Sequence, residues 1–383
     1  MKYINLHDMS KWSFHRKREE AEERYILAID GGGMRGIVPA EIIKKIARDL
    51  KEAGDTTPLY AHFDLIAGTS TGGLIALGLS ANESSLKQEE GEDTPVIESV
   101  KRGFFRYEDI IAGYIPRSVD PAAITDIYLT QGSDIFSAKN RFFGSVFSDK
   151  YDTAGLEKFL YKTFEEKKLK EALVPTLVVS YDTISGKTMV LSSYNEYKEL
   201  HYSDAARGTS AAPLYFKPKY IKANDKSRLA LIDGGVVANN PSLIAYTEAR
   251  KLYPNCKLFH ILSLSTAAPV YSYDPSDSSG GVSGWAEPMT HIYPNAQADL
   301  INLTLSSLPE VTYTRIHGVI SEEKIKMDDT RTESMALLKA GADKIYNENN
   351  ALISSFIDKL KERKRWDNVR LKSAHLMIEE KQA

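Results

Sequence analysis

Five short apolar runs recur along the chain, each closing on glycine, aspartate or serine. They are YILAID (Tyr25 to Asp30), FDLIAG (Phe63 to Gly68), ALVPTLVVSYD (Ala172 to Asp182), RLALIDGG (Arg228 to Gly235) and KLFHILSLS (Lys257 to Ser265). Their length and apolar content predict buried strands. Segments with apolar residues three and four apart separate them, including VPAEIIKKIARDL from Val38, TGGLIALGLS from Thr71, YDTAGLEKFLYKTFEEKKL from Tyr151 and SLIAYTEARKLY from Ser242. Strands alternating with helices predict an α/β fold with a mainly parallel central sheet and helices on both faces. Two more helical stretches follow Met327, RTESMALLKAGADKIYNENN and ALISSFIDKLKERKRW. We therefore expect an arm over residues 1–24, a main domain over 25–320 and C-terminal helical additions over 321–383, packed on or beside that domain.

The remaining segments carry weaker expectations. Charge dominates Met1 to Arg24, which reads as a solvated helix or frayed arm, or as an interfacial arm through Trp12 and Phe14 beside Arg16, Lys17 and Arg18. Asn82 to Asp93 (NESSLKQEEGED) reads as an exposed acidic loop, and Asp274 to Pro288 (DPSDSSGGVSGWAEP) as a flexible one. The aromatic stretches FFRYEDIIAGYIP and NRFFGSVF read as core or as walls over a site. Lys359 to Arg365 is basic and reads as a solvated helix end or a contact for anionic headgroups.

Chemistry enters at the ends of the strands. Gly68-Thr69-Ser70-Thr71-Gly72 lies between an apolar run and a helix, which is the G-x-S-x-G arrangement of a nucleophile elbow. Small residues are needed there because the turn that lifts the serine hydroxyl brings strand and helix backbones close together. Upstream, Asp30-Gly31-Gly32-Gly33-Met34-Arg35-Gly36 follows the first strand. Three consecutive glycines leave backbone N–H groups uncovered, as an oxyanion hole requires, and Arg35 adds a positive charge that could hold the loop or stabilise an anion. Gly31, Gly33 and Gly36 also spell a dinucleotide fingerprint, but that motif needs an acidic residue at the end of a second strand. Asp49 and Glu52 fall instead in a charged helical stretch. Asp233 closes the fourth run, where a carboxylate can reach the serine across an assembled parallel sheet, as general base or as the group that orients a histidine.

At these residues the chain resembles the patatin-like phospholipase family, whose pattern is a DGGGxRG loop, a GxSxG elbow and a DGG motif. The likeness runs from about Tyr25 to Ser265, with a weaker echo to about Tyr346, and includes ARGTSAAPLYFKP (Ala206 to Pro218) and VVSYDTISGK (Val178 to Lys187). Ser265 stands where many members carry glycine, which puts a local turn in question. The resemblance implies a three-layer fold and a serine-aspartate dyad of Ser70 and Asp233. It further implies an oxyanion site lined by Gly31, Gly32, Gly33 and Arg35, with Gly68 and Gly72 shaping the elbow. The implied activity is that of a lipid acyl hydrolase of phospholipase A type, working through an acyl-serine on phospholipid or another lipid ester, with transient contact to a membrane surface. Alternatives from the same resemblance are a cyclic-nucleotide-activated phospholipase effector of bacterial anti-phage defence, and a general carboxylesterase or storage protein.

A triad in the usual chain order would draw its histidine from His260, His291, His317 or His375. His260 reads as a packed strand residue, and the others have no supporting motif, so a dyad is the preferred reading. No cofactor is implied, and no residues show metal-ligand spacing. A formal net charge of -3 gives no reason to expect a nucleic-acid polymer as partner. The single cysteine, Cys256, excludes an internal disulfide. With no apolar run long enough to span a bilayer, the expectation is a soluble, cytoplasmic protein that meets membranes peripherally. Oligomerisation is left open.

Overall fold

The structure, a computed structural model, describes residues 22–81, 86–101, 107–135, 151–222, 228–267, 281–320, 325–362 and 369. The expected arm up to residue 21, NRFFGSVF and the basic stretch beyond Glu362 lie outside these residues. The main sheet begins with β1 (Glu23–Ile29), β2 (Leu65–Thr69) and β5 (Thr176–Asp182), and continues with β6 (Lys187–Ser192), β7 (Lys219–Lys222), β8 (Arg228–Asp233), β9 (Leu258–Leu264) and β10 (Val311–Ile316). Their order is β10-β9-β1-β2-β5-β8-β7, with β6 also on β5. From β10 to β5 all neighbours are parallel. Helices cover both faces of these strands, so β1 and β2 are buried almost throughout and read as continuous apolar runs.

Of the five strands expected from sequence, one departs from the parallel arrangement, and it is the one that ends in Asp233. β8 pairs antiparallel with both β7 and β5, and β7 closes that edge of the sheet. β6 occupies one edge of β5 from Leu177 to Asp182. β2 and β8 must therefore share the other edge, β2 beside Thr176 to Val179 and β8 beside Ser180 to Asp182. They run in opposite directions and abut. Thr69 of β2 sits opposite Val179, and Asp233 of β8 sits opposite the next residue, Ser180. The ends of the two strands meet head to head.

On one side of the sheet, α1 (Ile37–Glu52) packs with α3 (Pro121–Ile135), α9 (Thr332–Glu348) and α10 (Asn350–Glu362). Ile42, Ile46 and Leu50 of α1 share a core with Leu338, Ile345 and Phe356, so the C-terminal helices complete this layer instead of lying loosely beside it. α2 (Thr71–Ser80) is buried along nearly its whole length. α4 (Thr153–Phe164) and α5 (Tyr202–Thr209) enclose a second core with Leu160, Phe164 and Tyr202. α6 (Gly235–Ala238) and α7 (Ser242–Leu252) follow β8, and α8 (Gly281–Ser307) precedes β10.

Three local expectations change. Gly281 to Pro288, read as loop, belongs to α8. Tertiary packing overrides local composition there, because Ile301 and Leu305 of the same helix are buried and the Gln297 side-chain amide donates to the carbonyl of Val237 at 2.8 Å. The acidic segment before Thr94 is not simply exposed. Asp93 is buried and accepts from the Arg117 backbone N–H at 2.9 Å, while burial pushes the Glu89 carboxyl up to about 7. FFRYEDIIAGYIP contributes a strand, β4 (Tyr107–Ile115), which pairs antiparallel with β3 (Thr94–Lys101) as a separate two-stranded sheet.

Candidate active site

Ser70 stands between β2 and α2 with φ 53° and ψ -124°, a left-handed φ that costs a serine strain. The surroundings hold it there. A Cβ on Gly68 would lie 2.1 Å from the Gly72 carbonyl oxygen, and one on Gly72 would lie 2.2 Å from that of Ile29. Neither glycine can be replaced without moving backbone. The Ser70 N–H donates to Thr209 Oγ1 at 3.0 Å, and Thr209 in turn donates to the Val179 carbonyl. Next door, Thr69 Oγ1 donates to the Ala238 carbonyl at 2.7 Å, tying the elbow to the helix after β8.

Because β2 and β8 abut, the Ser70 hydroxyl donates directly to Asp233 Oδ2 at 2.6 Å. The other carboxylate oxygen accepts the Gly235 N–H at 2.7 Å, and the Asp233 N–H donates to the Ala211 carbonyl at 3.0 Å. Burial pushes the Asp233 carboxyl up to about 6, against the opposing pull of the hydrogen bonds from Ser70 and Gly235. It is thus ionised at neutral pH and a stronger base than an exposed aspartate.

The glycine loop is braced from three sides. The Gly31 N–H donates to the Asn239 carbonyl at 3.0 Å, and the Gly31 carbonyl accepts from Thr266 Oγ1 at 2.8 Å and from Asn239 Nδ2 at 3.3 Å. The Gly31 N–H is therefore committed within the fold. Among the described residues, no acceptor is paired with the N–H of Gly32 or Gly33. Gly33 adopts φ +59° and packs so tightly that a Cβ would meet the Met327 carbonyl oxygen at 2.2 Å. Arg35 is half-buried, with Nε 3.4 Å from the Gly32 carbonyl oxygen. Burial draws its guanidinium down to about 10, which leaves it charged at neutral pH. At the head of the loop, Asp30 receives both Nη groups of Arg315, at 2.8 and 2.5 Å, in a buried bidentate pair.

An open cavity of about 580 Å³, counting the space at its mouth, adjoins Ser70 and Gly33. Leu74, Tyr128, Leu156, Tyr215, Phe216 and Met327 give it apolar walls. No described histidine lines it. His260 stacks on Tyr25 with ring centroids 4.7 Å apart and contacts Glu23, and His317 contacts Ser265 Oγ at 3.0 Å. The side chains of His291 and His375 lie outside the described residues. The turn at Ser265 forms without glycine. Ser265 Oγ accepts the Ala267 N–H at 3.2 Å, and Ala267 takes the left-handed φ of 52°. Asp49 and Glu52 sit in α1, away from any strand end, as the rejection of a dinucleotide site requires.

A strained serine bonded to a buried carboxylate, a braced glycine loop and an apolar cavity agree with the comparison to known proteins. The model for the patatin-like phospholipase family matches residues 27–246. The chain belongs to the patatin-like phospholipase family. Patatin-like protein 2 of Arabidopsis thaliana is 27% identical, over 86% of this chain and 84% of that one. Probable inactive patatin-3-Kuras 1 of Solanum tuberosum is 26% identical, over 82% of this chain and 83% of its own. The crystal structure of VipD from Legionella pneumophila aligns at a TM-score of 0.35 and 12% identity, over 87% of this chain and 67% of that one. Patatin-like family members are generally lipid acyl hydrolases.

Sequence reasoning missed the residues that brace this family's motifs here. Thr209, Asn239, Thr266, Arg315 and Met327 each touch the elbow or the loop from far along the chain. Asn239 follows the DGG motif and Thr209 precedes Ala211 in ARGTSAAP, so both had a positional signal. Arg315 and Met327 had none.

Proposed function

We propose that the protein is a lipid acyl hydrolase of phospholipase A type, with Ser70 as nucleophile and Asp233 as its general base. The observation that carries this reading is the 2.6 Å hydrogen bond from Ser70 to a buried carboxylate at the edge of an apolar cavity. Asp233 takes the hydroxyl proton as Ser70 Oγ attacks the ester carbonyl. The carbonyl oxygen gains the charge and is met by the N–H groups of Gly32 and Gly33, at the N-terminal side of α1. Collapse of the tetrahedral intermediate expels the lyso-lipid alkoxide, which takes the proton from Asp233, and leaves an acyl-serine. Water then gives its proton to Asp233, attacks the acyl carbonyl and releases the fatty acid, while the proton returns to Ser70.

The apolar walls suit an acyl chain and exclude water from the developing charge. Such a substrate resides in a membrane, and no helix among the described residues is long and apolar enough to cross one. In this reading the protein reaches its substrate by peripheral contact. The test is fatty-acid release from phosphatidylcholine vesicles. Unmodified protein should release fatty acid and the Ser70→Ala and Asp233→Ala variants should not. Release by Ser70→Ala would end the proposal.

A further inference from the structure

The loop that walls the cavity on one side carries an apolar side chain pointing the other way. Ala212, Tyr215 and Phe216 line the cavity, yet Leu214 between them is 76% exposed and holds φ at +72°, a conformation that strains a leucine. A leucine in a free loop would relax and fold its side chain onto the surface. Here both flanks are fixed. The Ala211 carbonyl holds the Asp233 N–H, the N–H groups of Tyr215 and Phe216 both donate to the Ala212 carbonyl, and Arg207 Nη2 donates to the Lys217 carbonyl at 2.7 Å. Tyr215 also stacks on Tyr151, whose N–H donates to the Tyr215 carbonyl at 3.0 Å. Three residues of chain span at most about 11 Å, so this leucine is tied close to the residue that positions Asp233.

We propose that Leu214 is a fixed apolar wedge that enters a lipid surface and seats the mouth of the cavity on it. The proposal deepens the acyl-hydrolase reading and rests on it for the substrate. A lipid surface is the occupant the observations favour. The exposed Pro213-Leu214 tip is continuous with the apolar walls at Tyr215 and Phe216, so insertion would join the bilayer interior to the cavity without a polar step. Exposed Lys217, three residues on, offers a positive charge that can meet headgroup phosphates.

Leu214→Asn separates this role from a structural one. Asparagine accepts a left-handed φ, so the variant removes the wedge and relieves strain together. The probe is co-sedimentation with phosphatidylcholine vesicles, with and without phosphatidylglycerol, in a Ser70→Ala background so that no substrate is consumed. The expected result is partitioning weakened about ten- to a hundred-fold, the range that burial of one leucine supplies, with a melting temperature equal to or above that of the parent. With Ser70 intact, Leu214→Asn should lose vesicle hydrolysis while keeping turnover of a soluble short-chain ester. Unchanged partitioning would overturn the proposal, as would a fall in melting temperature of the size expected for a packed core leucine. Dissociation of a dimer in sedimentation velocity with unchanged partitioning would assign the tip to a second copy of the chain. If the unmodified protein hydrolysed neither substrate, the acyl-hydrolase reading would fail, while the partitioning experiment would still decide the docking surface.

Discussion

Replacing Asp233 by asparagine separates the energetic burden of a buried carboxylate from its chemical use. The carboxyl titrates at about 6 in the folded protein against an ordinary value of 3.8, and desolvation is the main cause. At about 1.4 kcal/mol per pH unit, that gap corresponds to about 3 kcal/mol. Below the ordinary value, both folded and unfolded chains hold the proton and the burden is absent. As pH rises towards 6 the unfolded chain has released its proton and the folded chain has not, so folding stability falls. Above 6 the full penalty is in place. Asparagine never carries the charge, and its amide keeps both local contacts, with its oxygen accepting from the Gly235 N–H and its nitrogen donating to Ser70 Oγ. Urea unfolding of both proteins across this pH range should show the variant more stable than wild type by up to about 3 kcal/mol at pH 8, with the gap closing as pH falls towards 4. Fatty-acid release should be absent throughout. A variant that is less stable at pH 8, or a gap that does not change with pH, would refute the reasoning by showing that the site solvates its carboxylate.

Two further outcomes follow from the same geometry. With an aspartate as sole base, kcat/KM should fall as pH drops through about 6, when Asp233 becomes protonated, and stay level above neutrality; a pH–rate profile with an acid limb below pH 5 would contradict the assignment. Arg315→Met should destabilise the protein by about 3–5 kcal/mol in urea unfolding, because it leaves Asp30 buried without its partner. Adding Asp30→Asn should recover part of that loss, and a cost below about 1 kcal/mol would show that the pair holds little.

Strand ends were legible because each carries its own local signal. Gly68, Gly72 and the serine between them declare a tight strand-to-helix turn, and the structure supplies the reason in the carbonyl oxygens that a Cβ would strike. Asp233 was legible as a residue at a strand end, but the direction of its strand was not. A six-residue apolar run looks the same parallel or antiparallel, and only the pairing with β7 and β5 reveals that β8 returns along the edge β2 has left. The three glycines looked equivalent, yet one N–H is taken by Asn239, a contact between residues two hundred apart that no local pattern encodes. The start of α8 misled because Gly, Ser and Pro report local preference, whereas the helix is fixed by packing further along.

The most direct test of the account follows the acyl group itself. Unmodified protein is mixed with a phospholipid labelled in its acyl chain, quenched with acid within the first turnover and mapped by peptide mass spectrometry. Labelled acyl ester is expected on the peptide that carries Ser70, appearing before free fatty acid accumulates. Fatty acid formed while that peptide stays unlabelled would contradict that expectation.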